Sequence, residues 1–197
     1  MLKSVKNTGR MVKKEIRILG IDDSPFDKKR KSEVLVIGTI FRGGYFIDGV
    51  ISTKVRMDGR NATQKLIKMI NNTKHKAQLQ VIMLNGISLG GFNIIDIKEL
   101  NKATKLPVVV VIRKYPDFKK IHKALIKIGF SDKIKLLNKA GQIYSLEKIF
   151  VQLAGISIVK AKEILKVSCT HSLIPEPIRV AHLIAGGIVD GESRGRA

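Results

Sequence analysis

The sequence predicts an α/β fold on one mixed β-sheet, a three-stranded antiparallel meander followed by parallel strands, with helices on both faces. Three observations carry that prediction. Three strand-like segments come first, with no helix-length segment between them to return the chain for a parallel pairing. The hydrophobic period then switches, and helical and strand-like stretches alternate along the middle of the chain. The apolar share is 44% but the aromatic share only 5%, with no Trp, so the core has to be built from the Ile, Leu and Val that suit strands.

Residues 15–22 (EIRILGID) alternate as a strand. A β-branched run over 34–41 and another over 45–55 are separated by the turn signal Arg42-Gly43-Gly44, which makes them a hairpin. Over 62–72, Leu66, Ile67 and Ile70 recur at helical spacing, with Asn61 as the N-cap. Residues 79–84 read as a strand, 96–104 as a short helix, and 107–112 (PVVVVI) as a buried parallel strand. Residues 116–129 read as a helix with Pro at its start and Gly at its end. Further on, 133–138 and 143–154 read as strands joined by a turn at Ala140-Gly141, and 158–166 and 177–184 as helices.

Right-handed crossovers place the later strands beside the meander in one sheet. Three strands, helix, strand, helix, strand, helix is the order of the ribonuclease H-like fold, whose chemistry sits on the first strand and at the end of the fourth. A doubly wound nucleotide-binding fold would alternate strand and helix from the start. At 197 residues the chain is long enough for one such domain, placed at 15–197, after a basic arm at 1–14 that is a candidate for disorder.

Charge narrows the partner. There are 37 Lys and Arg against 16 Asp and Glu, a net +21. Heat adaptation raises Glu together with Lys and does not account for the imbalance. A polyanion would relieve the self-repulsion through counterion release, so nucleic acid, DNA or RNA, is the expected partner. A merely basic surface is the competing explanation, and membrane lipid the weakest, since no basic amphipathic helix stands out. No apolar run reaches the roughly 18 residues that span a bilayer, and the N-terminus lacks an apolar signal core. The single Cys169 fits a reducing compartment, so a cytoplasmic location is expected.

Candidate chemistry begins at the end of the first strand, Gly20-Ile21-Asp22-Asp23-Ser24. Neighbouring strand residues point to opposite faces, so Asp22 and Asp23 are not expected to serve one site without a bulge. Asp22 shares phase with Ile16, Ile18 and Gly20 and is the candidate buried acid; the pair could equally cap a turn before Pro25. The string GIDDSPF resembles the first-strand motif of endonuclease V. More closely, the chain resembles the archaeal family catalogued as domain of unknown function 99, itself similar to endonuclease V. The resemblance covers nearly the full length. It runs through DGRNAT at 58–63, NGISLGGFN at 85–93 followed by Asp96, IPEPIRVAHLI at 174–184 and the tail GESRGRA at 191–197.

The resemblance implies a Mg²⁺- or Mn²⁺-dependent cut near deaminated bases, using a first-strand Asp, a Glu at the start of the first helix and an Asp ending the fourth strand. Asp22 matches the first of these. The other two positions fall at Asn61 and Asn85, where neutral amides replace anionic ligands. Two Mg²⁺ ions about 4 Å apart need carboxylates, so the expectation is a nucleic-acid-binding protein with metal-dependent cleavage weakened or lost. An active Mg-dependent endonuclease and a noncatalytic protein-interaction module are the alternatives. Asp22, Asp58 and Asp96 are the catalytic candidates, with Asp22 and Asp58 as metal ligands. Asp58 could equally serve a turn, and Asp96 a helix N-cap.

Phosphate contacts are expected from Lys28, Lys29, Arg30, Lys31, Arg113, Lys114, Arg179, Arg194 and Arg196, and from backbone N–H groups at Gly90 and Gly91 in the loop 85–93. That loop lacks the P-loop and dinucleotide spacings, and a tight structural turn is its competing role. The tail is either a frayed terminus or a contact to phosphate or another subunit. His182 shares a helix face with Arg179 but reads more readily as a core or surface histidine. The remaining histidines have no zinc spacing, and Cys169 has no neighbour to activate it.

Overall fold

The structure, a computed structural model, describes residues 12–28 and 32–194. Along it run β1 (Arg17–Asp23), β2 (Glu33–Arg42), β3 (Phe46–Arg56), α1 (Ala62–Asn72), β4 (Val81–Asn85), β5 (Ser88–Leu89), β6 (Asn93–Ile94), α2 (Ile97–Thr104), β7 (Val108–Ile112), α3 (Phe118–Lys127), α4 (Lys133–Lys139), β8 (Tyr144–Leu146), β9 (Ile149–Ala154), α5 (Ile158–Ser168) and α6 (Glu176–Asp190).

One sheet takes the order β3-β2-β1-β4-β7-β9-β8. The first three strands form the expected antiparallel meander, and β4 and β7 follow in parallel with β1. In register, Asp22 lies opposite Ile37, Gly20 beside Met83 and Asn85 beside Val111. The ends of β1, β4 and β7 therefore share one edge of the sheet. The far side closes with β9 antiparallel to β7 and β8 antiparallel to β9.

Alternation divides the core. Leu19, Ile21, Ile82, Leu84, Val108 and Val110 face α1 and α2, where Leu66, Ile70 and Leu100 meet them. Ile18, Val81, Met83, Val109 and Val111 face α5 and α6, against Ile164, Leu165 and Ile178. Burying each such side chain contributes roughly 1.5–3 kcal/mol. Helices thus cover both faces, as the sequence predicts. Helix α6 sits unusually close: a Cβ on Gly20 would lie 2.2 Å from the Pro177 carbonyl carbon, and Thr39 Oγ1 donates to the Pro177 carbonyl oxygen at 2.6 Å.

Three local expectations fail. Residues 133–138 form helix α4 instead of a strand, because Ile134 and Leu137 pack at helical spacing against α3 and β6. Residues 143–154 are not one strand but the hairpin β8–β9, turning where Glu147 adopts a left-handed φ of 56°. Asn61 does not cap α1 with its side chain; Asn93 Oδ1 accepts from Ala62 N at 3.0 Å instead. Of the proposed arm, residues 1–11 lie outside the described residues, while Val12 N donates to Glu163 Oε2 on α5. Among the described residues no helix is long and apolar enough to cross a membrane.

Candidate active site at the ends of β1, β4 and β7

Asp22 is 3% exposed, on the α6 face of β1. Its Oδ2 receives Asn85 Nδ2 from β4 at 3.0 Å and lies 2.8 Å from His182 Nδ1 of α6. Asn85 is thus a donor to the carboxylate, where a second acid would repel it. The Arg194 backbone carbonyl also bonds the His182 ring. With acceptors on both sides, the imidazole is held above its ordinary pKa, chiefly by Asp22 and against the opposing effect of burial and Arg113. Arg194 reaches this place because left-handed Gly191 ends α6 and the tail turns back, bringing Ser193 against Gly186.

Asp23 points the other way, and its Oδ2 accepts from Gly90 N at 2.7 Å. Burial, together with the nearby Asp22 charge, pushes its carboxyl up to about 6 despite that bond. Asp23 thus faces away from Asp22, as strand alternation requires, while the two carboxyls remain near enough to interact.

The glycine-rich loop is a small two-stranded sheet, with Leu89 opposite Asn93. Asp58, itself left-handed at φ 51°, accepts from Phe92 N at 2.7 Å, and a Cβ on Gly91 would meet that carboxylate at 2.4 Å. Lys133, fully buried, donates to the carbonyls of Asp58, Gly59 and Phe92 at 2.7–2.8 Å and lies 3.9 Å from the Phe130 ring centroid. Asn93 Nδ2 bonds Arg56 O and Asn61 Oδ1. Asp96 caps α2 by accepting from Glu99 N and pairs with Lys139. Burial raises its carboxyl, but Lys139 and the helix N–H groups outweigh that and hold it low.

The sequence-predicted residues therefore separate. Asp22 and the Arg194 backbone carbonyl meet at His182, with the Arg113 charge near by, while the Arg194 guanidinium pairs with Glu192 at 2.7 Å. Asp58 and Asp96 are tied to the loop and to α2, and no acidic site of Asp22, Asp58 and Asp96 forms: among the described residues no three His, Cys, Asp or Glu side chains converge as a cation cluster. The Gly90 N–H is committed to Asp23, which removes it as a ready phosphate donor, and Gly91 packs on Asp58. Arg179 pairs with buried Glu176 at 2.6 Å. Lys28 and Lys114 are exposed, while Lys29, Arg30, Lys31 and Arg196 lie outside the described residues. His182, Asn85 and Asp23 carry more of the site than the sequence reading assigned them.

Asp22 and Asp23 are the neighbouring carboxylates at this end of the sheet, the first engaged by Asn85 and His182, the second by Gly90 N, by Asp22 and by its own backbone. Such a donor set fits one hydrated Mg²⁺ or Mn²⁺ completed by water and substrate phosphate, and does not fit a two-ion clamp.

The order of strands and the acid at the end of β1 define a ribonuclease H-like fold of the endonuclease V kind. Human ENDOV superposes with a TM-score of 0.58 at 17% identity, over 86% of this chain and 82% of that one. An endonuclease V from Ciona intestinalis, solved with a 24mer DNA containing an inosine, gives 0.53 at 18% identity over 84% and 82%. The chain belongs to the Endonuclease dU family, whose model matches residues 14–189. A UPF0215 protein of Methanothermobacter thermautotrophicus is 50% identical over 194 residues, covering 95% of each chain. A protein of unknown function from Archaeoglobus fulgidus superposes with a TM-score of 0.82 at 38% identity, over 88% of this chain and 98% of that one.

Proposed function

We propose that the protein is a metal-assisted endonuclease that hydrolyses DNA at deoxyuridine. The observation that carries this reading is the buried Asp22–His182 pair, anchored by Asn85 at the open edge of the sheet. The description of the family supports the reaction class and the base, and the endonuclease V likeness supports the scaffold. Bound Mg²⁺ or Mn²⁺ would supply a polarised water and neutralise phosphate charge. Asp22 and Asp23 would hold the ion. His182, whose imidazole Asp22 and the Arg194 carbonyl hold above its ordinary pKa, fixes Asp22, and Arg113 supplies positive charge near the reacting phosphate. A water oxygen bonds to phosphorus as one P–O ester bond breaks; the attacking water gives a proton to solvent and the departing oxygen takes one up to leave as a sugar hydroxyl. Lys114 and exposed Tyr115, which packs edge-on to Phe150 at 5.4 Å, extend the surface along the nucleic acid.

The test is incubation of the protein with Mg²⁺ or Mn²⁺ and labelled duplexes containing deoxyuridine, with inosine DNA and RNA alongside and Asp22→Ala as control. Cutting of the deoxyuridine strand by wild type alone supports the reading; intact strands in every lane overturn it. A second reading, nucleic-acid binding with cleavage weakened or lost, is favoured by the neutral Asn61 and Asn85, which stand where the resemblance expects acids. It predicts salt-sensitive binding without any cut.

A further inference from the structure

Helix α3 carries a row of charges that nothing in its own structure balances. Its ten residues include no acid, and Asp117 just before them is already committed, capping the helix through Lys120 N and pairing with the Lys120 side chain at 3.4 Å. Lys119, Lys123 and Lys127 follow at intervals of four, all exposed and none with an acidic partner among the described residues. Like charges at this spacing repel, so the row weakens the helix that bears it. Helix α5, by contrast, answers Lys160 with Glu163 at 3.0 Å. The other face of α3 packs inward, Ile121 and buried Leu125 against Ile94 and Leu137, which turns the lysines to solvent. The start of α3 is fixed at the open edge of the sheet. Phe118 and Ile121 stand beside Gly86 and Ile112, at the ends of β4 and β7. Tyr115 meets both Phe118, with 6.3 Å between ring centroids, and Phe150, which lies opposite Ile112.

We propose that Lys119, Lys123 and Lys127 form a rail that holds the phosphate backbone of a duplex beyond the reacting position. The inference rests on the nucleic-acid reading of the site above. At 1.5 Å of rise per residue the row spans about 12 Å, and one DNA strand advances about 3.4 Å per phosphate, so the span matches three to four successive phosphates. A regular row of equal charges thus meets a regular polyanion at roughly one lysine per phosphate. Lysine presents a compact charge on a flexible stem, without the planar fork that reads a base edge. The rail therefore supplies affinity and orientation and carries no base preference. A phosphate backbone also removes the repulsion along α3, because each ammonium gains the counter-charge that its own helix withholds.

The test measures binding of a duplex carrying one deoxyuridine across a salt series, without divalent metal. Three proteins are compared: wild type, the combined Lys119→Gln, Lys123→Gln and Lys127→Gln variant, and a charge-matched control. The control combines Lys68→Gln, Lys74→Gln and Lys102→Gln, exposed positions on α1, just after it and on α2. Glutamine and lysine have similar helix propensity, so both variants keep their helices. The α3 variant is expected to lower the slope of log affinity against log salt by roughly three and to bind roughly tenfold or more weakly at low salt, with the control within about one of the wild-type slope. Equal slopes for wild type and the α3 variant overturn the proposal, and so does a control that loses as much. Acetylation of wild-type lysines, read by mass spectrometry, needs no variant. The duplex should shield Lys119, Lys123 and Lys127 while Lys68, Lys74 and Lys102 react as in the free protein; uniform reactivity overturns the proposal. Should the rail be shielded and the slope fall while wild type cuts nothing with Mg²⁺ or Mn²⁺, the nuclease reading falls and the rail stands. Cutting at deoxyuridine with an unaltered slope does the reverse.

Discussion

His182 Nδ1 lies 2.8 Å from Asp22 Oδ2, joining the last described helix to the first strand across 160 positions. The partnership is mutual: the carboxylate raises the imidazole, and the imidazole occupies the oxygen that Asn85 also holds.

Replacing Asp22 with Asn should therefore do two things. Cleavage should fall by roughly 10²–10⁴-fold, the range for a positioned catalytic group. The His182 ring should also titrate at lower pH than in wild type, read by NMR. An unmoved titration would separate the two residues.

Asp23 makes stability depend on pH. Its carboxyl stands at about 6 in the folded protein against an ordinary 3.8. The folded state holds the proton more tightly, so this contribution is complete below about 3.8 and is lost as pH rises through about 6. His182, raised by Asp22, acts in the same sense, losing its contribution as pH climbs above 6.5. Metal-free wild type should lose melting temperature across this window more steeply than Asp23→Asn, whose amide oxygen can still accept from Gly90. Parallel melting curves from pH 4 to 7 would contradict the placement of Asp23.

Lys133→Met should destabilise the fold by roughly 3 kcal/mol or more, since three carbonyls lose one buried donor. Urea denaturation measures it. Local order should suffer first around Phe92, seen as faster amide exchange there than in β4.

Gly20→Ala tests the seat of α6. The added methyl would strike Pro177 backbone at 2.2 Å, which is not a flexible side chain that can swing away. A loss of roughly 1–3 kcal/mol is expected, with cleavage falling further than stability because His182 moves with the helix.

Arg113 and Lys114 should each carry about one phosphate contact. Their Ala variants are expected to lower the slope of log affinity against log salt by roughly one apiece, without altering base preference. An unchanged slope would place the nucleic acid elsewhere.

Most of the architecture was legible in the sequence because periodicity reports burial directly. The meander, α1 and the β7 run are long or strongly patterned, and their bounds fall within a few residues. Residues 133–138 misled because six residues of mixed pattern cannot separate a period of two from a period near four. Asn61 fits the cap profile by type, but Asn93, distant along the chain, took the role by accepting from Ala62 N. Asp22 was legible from its phase with Ile18 and Gly20. His182 was not, since a lone histidine on a helix gains meaning only from the acid facing it.

The loop between β4 and α2 is fastened from several directions, by Asp23, Asp58, Asn93 and Lys133. Ordering of this loop is therefore largely complete beforehand, and for the nuclease proposed above adaptation would fall on the nucleic acid. Duplexes already weakened at one position, by a mismatch, a nick or a nearby end, should be seized faster than perfect ones, with the difference narrowing as temperature rises and every duplex breathes more freely.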